Sequence, residues 1–493
     1  MFALALLLAN AAVLLPRWLP FQDLPAHAAA LAVRERLAES PFEQRYLVDA
    51  TRLGPYSLFR GLGHLLAPLL GALNATRILA VLPLWLTPLS ALWLRRAVCG
   101  RWDATYALLG LYCTLGLMFV FGFASFLTGT AALIASYTIF LALPESKRQA
   151  RMWPLAAASA VATFYSHGFA LLILGALVTA TVSSAVAWKR ASCTLTALLP
   201  AVACALWSQH EVSLVTAQVS RSEGAARTVF QGPLDKLSLL ATPMLATRFV
   251  VDVAAGAALW GTLFYAAWRL RSDPGGTATK RRVLRSALVL VGIFLLAPHN
   301  AHWFGFVDAR LLPTAYLLLA VSLPTGWWTP KKQTAVGGVV LLHVLLLCGA
   351  VLGFQREMVD FEAAAMIPAE ARVLNLPLQP NSRYVAGHPF LHADKLLLLE
   401  RPMLLSDMWL HQGTGLYARE PNPVLALAAS HSASAIAPQS AWTGVHDKDW
   451  DYALIRSDDL SDGFLPAGWC YTKHAGAWWV AKRTDHEDDC SRP

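Results

Sequence analysis

Charge is what this chain has least of. Only 14% of its 493 residues are Asp, Glu, Lys or Arg, against about 25% in an ordinary soluble domain. That shortfall excludes disorder, a solvated coiled coil and a polar two- or three-domain enzyme. Cysteine is sparse too: seven in all, with no CxxC and no metal-ligand spacing, which excludes a disulfide-stapled miniprotein and a zinc module. There is no P-loop, GxGxxG, HExxH, GxSxG or EF-hand pattern, so ATPase, dehydrogenase, zinc-protease and hydrolase readings lose their usual support. No repeat and no low-complexity tract is visible.

What is there is apolar. Hydrophobic residues make up 56% of the chain and the mean hydropathy is +0.46. A bilayer-spanning helix needs roughly 20 such residues. Eleven stretches qualify, centred on Ala11, Leu84, Leu111, Ala132, Ala158, Gly175, Leu199, Leu259, Gly292, Leu318 and Leu342. The first, Phe2–Leu15, lacks a charged leader and reads as a retained span. The segment Ser57–Leu73, which carries Arg60 and His64, reads as a hairpin or an interfacial helix.

Sidedness follows from the cations. Arg95, Arg96 and Arg101, then Lys147, Arg148 and Arg151, then Lys189 and Arg190, then the Arg269–Arg285 stretch, then Lys331 and Lys332 each follow an even-numbered span. Phe121–Ser125 and Ser166–Gly168, on the other side, hold no Lys or Arg. Cations flanking spans stay cytoplasmic, so the expected fold is an all-α polytopic bundle of about 11 transmembrane helices, N-terminus in and C-terminus out. The net charge of +9 thus belongs to loops beside a bilayer and not to a nucleic-acid surface. Residues 1–354 form the transmembrane domain, with a first outer loop at 17–74. Residues 355–493 form a small extracytoplasmic α/β domain, where Arg372–Leu376, Lys395–Leu399, Tyr452–Arg456 and Ala477–Lys482 are short apolar runs between polar turns. Of these, Tyr452–Arg456 and Ala477–Lys482 are expected as strands. Cys470 and Cys490 fall there, in an oxidising location, and are expected to be bonded. The other five cysteines sit in or beside spans, as small apolar side chains.

Just after the first span comes Trp18-Leu19-Pro20-Phe21-Gln22-Asp23-Leu24-Pro25-Ala26-His27. Asp23 stands between two prolines, ahead of an amphipathic helix over about Ala26–Ala38. It either caps that helix or does chemistry with His27, four residues on and on the same helix face. Between the ninth and tenth spans lies Pro298-His299-Asn300-Ala301-His302-Trp303-Phe304-Gly305-Phe306-Val307-Asp308-Ala309-Arg310. Arg310 opens a span, where a guanidinium suits a phosphate; the bland alternative is that it snorkels or pairs with Asp308. His299 and His302 either help hold a phosphate or are ordinary interfacial residues. His167, Asp308 and His392 are candidates for lining the same cleft; His392 lies in the run His388-Pro389-Phe390-Leu391-His392-Ala393-Asp394. Asp252 is expected to pair with Arg248, and His343 to be a hydrogen-bonding core residue. Asp449-Trp450-Asp451 is a DxD by spelling only, because it leads straight into an apolar run with no nucleotide-binding loop.

A carboxylate after the first span, an outer amphipathic helix, about eleven spans and an outer C-terminal domain together resemble the GT-C superfamily of polytopic glycosyltransferases. The resemblance covers the layout of about 350 residues; Gln22-Asp23-Leu24 has one acid where the superfamily often has two. It implies sugar transfer from a polyprenyl-phosphate carrier to a glycan, lipid or protein acceptor on the non-cytoplasmic side. Asp23 would be the base with His27 as helper, and Arg310, His299 and His302 would meet the lipid phosphate. The expected setting is a bacterial inner membrane. No metal site is assigned, since no paired-acid motif supports one, and the cofactor is left unspecified. The alternatives are a transporter or lipid flippase, or a non-catalytic scaffold of the same layout. Few mid-span charges and the lack of an internal repeat weigh against the first; the single acid keeps the second open.

Overall fold

The computed structural model describes residues 1–50, 52–143, 149–182, 188–218, 228–241, 244–270, 277–301, 304–324, 326–406, 408, 415–419, 442, 449–461 and 463–484. Helices dominate. They are α1 (Phe2–Leu14), α2 (Leu24–Arg36), α3 (Pro41–Tyr46), α4 (Ser57–Leu70), α5 (Ala72–Cys99), α6 (Thr105–Thr114), α7 (Leu117–Val120), α8 (Ala124–Ala142) and α9 (Gln149–Ser166). They continue with α10 (Gly168–Val182), α11 (Trp188–Thr196), α12 (Leu199–Gln218), α13 (Pro233–Ala241), α14 (Val250–Leu270), α15 (Ala278–Leu296), α16 (Leu312–Ser322) and α17 (Pro330–Glu357).

Each expected span centre falls on a helix. Leu199 lies near the middle of the apolar span Ala191–Glu211, within which Pro200 opens α12 after a turn that follows α11. Among the described residues, five helices are long and apolar enough to cross a membrane: Ala72–Cys99, Ala124–Ala142, Ala191–Glu211, Val250–Arg269 and Pro330–Met366. Their outer faces show why the surroundings cannot be water. Helix α5 buries Leu79, Leu84, Ala91 and Leu94 against its neighbours yet exposes Trp85, Leu86, Leu89 and Trp93. Helices α15 and α17 expose Leu288, Leu295, Leu296, Leu345 and Leu352 in the same way. Apolar faces this extensive are stable against lipid, which neither rewards nor penalises them as water does. The chain is an integral membrane protein.

Two buried charged groups inside the bundle find partners on other helices. Arg95 is buried, donates to the carbonyls of Val321 and Leu323 at the C-terminal end of α16, and lies over the Tyr106 ring. There a guanidinium complements the helix dipole. Asp252 differs from expectation. It pairs with His343 and accepts from the Thr247 hydroxyl at 2.8 Å, while Arg248 donates to the Val385 carbonyl. His343 comes from α17, across the bundle, so packing between helices overrides the one-turn neighbour.

After α17 and a 3-10 helix (Val359–Met366), the chain builds a five-stranded sheet. With β1 (Leu47–Asp49) counted from the first loop, the strands are β2 (Arg372–Leu376), β3 (Leu404–Leu405), β4 (Leu416–Ala418), β5 (Tyr452–Arg456), β6 (Trp469–Ala475) and β7 (Trp478–Arg483). The sheet order is β3-β2-β5-β7-β6, with β2 parallel to β3 and β5 and the β6–β7 pair antiparallel. Strands β5 and β7 stand where the apolar runs place them. The run Lys395–Leu399 is instead part of a 3-10 helix (Ala393–Leu399).

Two devices tie this region to the bundle. Strand β1 pairs antiparallel with β4, Leu47 opposite Ala418. The rings of Trp18, Phe361, Trp478, Phe390 and Phe354 form a chain of contacts 4.9 to 6.0 Å apart.

Candidate active site

Asp23 sits at the N-cap position of α2, as its spacing before Pro25 implies, but its side chain makes no capping hydrogen bond. Its backbone is in the helical region, where a cap residue is usually extended. The segment hangs by main-chain bonds on the connection between α7 and α8: Gln22 N–H donates to Val120 O at 3.0 Å, and Asp23 N–H to Phe121 O at 3.1 Å. Gly122 makes this approach possible. Its φ is +77°, and a Cβ there would stand 2.8 Å from the nitrogens of both Asp23 and Leu24.

The Asp23 carboxylate is 4% exposed. The Gln22 side-chain amide donates to its Oδ1 at 3.3 Å, and His392 Nε2 lies 3.7 Å from the same oxygen. His392 is itself buried, at the start of the 3-10 helix that follows it. The C-terminal region therefore supplies a residue directly to the carboxylate. The Gln22 carbonyl oxygen accepts from the His388 backbone N–H at 3.3 Å, a second tie to the same region. His27 follows one turn after Asp23, with its ring packed on Phe59 of α4 at 5.1 Å.

Arg310 opens a 3-10 turn (Ala309–Leu311) that runs into α16. It is 5% exposed and donates through Nε to Gly305 O at 3.2 Å. Its guanidinium carbon stands 4.1 Å from the ring centres of both Phe123 and Phe304, and 5.2 Å from that of Phe126. Among the described residues no ion pair holds it. Asp23, Tyr56 and His167 lie within electrostatic reach of it.

Tyr56 is partly buried, and desolvation pushes its phenol up, with the Arg310 charge partly offsetting. It adopts φ +71°, a left-handed conformation rare for a bulky residue and found mostly where surroundings force it. Its ring meets His167 edge-on at 4.8 Å. His167 lies in the turn between α9 and α10, against Phe126 and Phe304. Burial first, and Arg310 second, hold it well below the usual imidazole range, so it is neutral there. Its Nδ1 accepts from Phe169 N–H at 3.2 Å.

The Asp308–Arg310 pair, one of the alternatives for Arg310, does not form among the described contacts. Asp308 is fully buried, and its carboxylate takes hydrogen bonds from Lys236 of α13, from His299 at 2.9 Å and from Ala309 N–H at 2.7 Å. Burial raises this group, but those three donors outweigh burial and hold it below the usual carboxylate range. His299 is committed to Asp308 and packs on Phe306, and Asp308 lies behind the site rather than on its wall. His302 lies outside the described residues. Asp451 of the DxD spelling is engaged by Arg372 at 2.7 Å, and Trp450 is buried. No group of three His, Cys, Asp or Glu suited to a metal occurs among the described residues. Cys470 is disulfide-bonded, the five cysteines outside this region are free, and Cys490 lies outside the described residues.

Gln22, Tyr56, Lys236 and the three phenylalanines around Arg310 escaped the sequence reading. Lys236 carried a signal: a lysine in a loop read as outer runs against the positive-inside tendency.

No protein-family model matches the chain, and no curated protein does. Among solved structures, ArnT from Cupriavidus metallidurans bound to undecaprenyl phosphate aligns over 100% of this chain and 98% of its own, at TM-score 0.58 and 12% identity. This chain has the ArnT fold. At 12% identity the likeness shows the fold alone. The Archaeoglobus fulgidus oligosaccharyltransferase complex with Zn and sulfate aligns at TM-score 0.40 and 12% identity, over 92% of this chain and 67% of its own, too loosely to carry argument. What ArnT and this chain share is therefore architecture, and the chemistry must be argued from the side chains above.

Proposed function

We propose that the protein is a membrane glycosyltransferase that moves a sugar from a polyprenyl-phosphate carrier to an acceptor hydroxyl on the non-cytoplasmic face. The observation that carries this reading is a buried guanidinium in an aromatic clamp that no ion pair holds among the described residues, within electrostatic reach of the buried Asp23 carboxylate. Rings hold a cation in place without neutralising it, so Arg310 is ready for an anion brought by a ligand. The fold neighbour was solved with undecaprenyl phosphate, an anion on a lipid.

In the transfer, Asp23 takes the proton of the acceptor hydroxyl as its oxygen attacks the anomeric carbon. The bond from that carbon to the phosphate oxygen breaks, and the carrier leaves as a phosphate monoester with one more negative charge. Arg310 stabilises that growing charge, where a preorganised donor acts most strongly. Gln22 and His392 orient the Asp23 carboxylate, and His27 assists from the next turn. Eleven crossings with the N-terminus inside would place α2, α4, the 298–310 loop and the 355–493 domain together outside, on one membrane surface. The bacterial inner membrane fits that layout. The sugar and the acceptor are left open.

Asp23→Asn tests the assignment. A lost general base costs about 10² to 10⁴ in rate. Asn caps a helix as well as Asp does, and the native carboxylate makes no cap bond, so folding should be untouched. An Asn variant with full transfer activity would show Asp23 to be no base.

A further inference from the structure

Arg310 and Asp308 are two positions apart, both buried, and opposite in charge. Left to themselves, two such groups would neutralise each other, because an isolated buried charge is costly. They do not, and the reason lies 72 residues upstream. Lys236, 5% exposed, donates to Asp308 and to the carbonyls of Phe294 at 3.0 Å and Ala297 at 2.8 Å. An ammonium has three donors, and all three are used. Two of them close the C-terminal end of α15, and the third removes a lone pair from Asp308 Oδ2. His299 and the Ala309 N–H occupy Oδ1. The 3-10 turn helps: with about three residues per turn, positions two apart point roughly 120° away from each other. Asp308 thus faces α13 and α15, while Arg310 faces Phe123 and Phe304.

We propose that Lys236 is a positioning residue for anion binding: by engaging Asp308 it keeps the Arg310 guanidinium open to the phosphate of the incoming lipid. This rests on the reading of Arg310 as the phosphate site. It adds that the site depends on a charge partition between two outer segments, α13 and the 298–310 loop. Without Lys236, Asp308 is a buried carboxylate held by His299 and one backbone N–H, and the nearest cation along its own chain is Arg310. The competitor for the lipid phosphate is then the protein's own carboxylate.

The test measures undecaprenyl phosphate binding to the full-length protein in lipid nanodiscs, for variants first checked for monodispersity and melting. Lys236→Met should weaken binding by about 10- to 100-fold, the cost of leaving one member of a buried pair unmatched. Lys236→Met combined with Asp308→Asn should bind within about threefold of wild type, since the competing charge has gone with the lysine. Asp308→Asn alone should bind at least as tightly as wild type, and it serves even where Lys236→Met fails to fold. A double variant as weak as the single one, or Asp308→Asn weaker than wild type, would make Lys236 merely structural and overturn the proposal. Arg310→Met separates the two levels. If it abolishes binding while Lys236→Met has no effect, the phosphate reading stands and this inference falls. If Arg310→Met binds as wild type does, the phosphate reading itself falls.

Discussion

Gly122→Ala asks most directly whether Asp23 is held where the chemistry needs it. The added methyl has two separate costs. At φ +77° an alanine pays roughly 1–2 kcal/mol for left-handed backbone. Its Cβ would also stand 2.8 Å from the nitrogens of Asp23 and Leu24. Those are backbone atoms, so no side-chain rotation relieves the clash and the segment must move as a unit. Movement strains the bonds Gln22 N–H to Val120 O and Asp23 N–H to Phe121 O, worth about 0.5–1.5 kcal/mol each. The expected loss is therefore about 2–5 kcal/mol. A displacement of the carboxylate approaching 1 Å would cost about 10² in rate on its own. Thermal unfolding in detergent and single-turnover sugar transfer read the two effects separately. Gly261→Ala is the control: Gly261 lies in α14 with nothing within 4 Å of its Cβ position, so its substitution should be neutral or stabilising by up to about 1 kcal/mol. A Gly122→Ala protein that melts and turns over like Gly261→Ala would refute the account of how Asp23 is placed.

Two further outcomes are expected. Asp308 is held below the usual carboxylate range, so the stability it contributes is fully present above its unfolded value, near pH 4, and fades as pH falls through the lower folded value; the melting-temperature gap between wild type and Asp308→Asn should be constant above about pH 5 and close in acid, and a gap that widens in acid would reverse the sign. Peptide mapping without reduction should recover Cys470, which is disulfide-bonded, linked to Cys490, with the five other cysteines alkylated as free thiols; Cys470 in any other linkage would refute the pairing.

How much of this was legible in the sequence depends on the range over which each residue acts. Helices were legible because apolarity over a dozen or more residues is a local property, and each of the eleven span centres lies on a helix. The span around Leu199 was legible too, although Pro200 opens a first turn inside it. Strands β5 and β7 were visible as apolar runs between turns. The run Lys395–Leu399 looked the same and became a 3-10 helix, because what fixes it is packing against α2, to which Arg36 of that helix also binds at Leu398 O. Asp23 and Arg310 were legible because a charge at the end of an apolar run is costly enough to need a reason.

Their surroundings were only partly legible, since much of what meets them is distant in the chain: His392 for Asp23, Phe123 and Phe126 for Arg310. Asp308 and Arg310 show the limit most clearly. Proximity along the chain favoured a pair, but a 3-10 turn aims the two side chains apart, and Lys236 and His343 take the carboxylates that nearest-neighbour reasoning gave to arginines. In both cases a buried acid is satisfied across helices and an arginine is left for other work. For Arg248 that work is a carbonyl of the C-terminal region. For Arg310 it is the clamp of Phe123 and Phe304, which leaves the guanidinium to the phosphate of the proposed carrier.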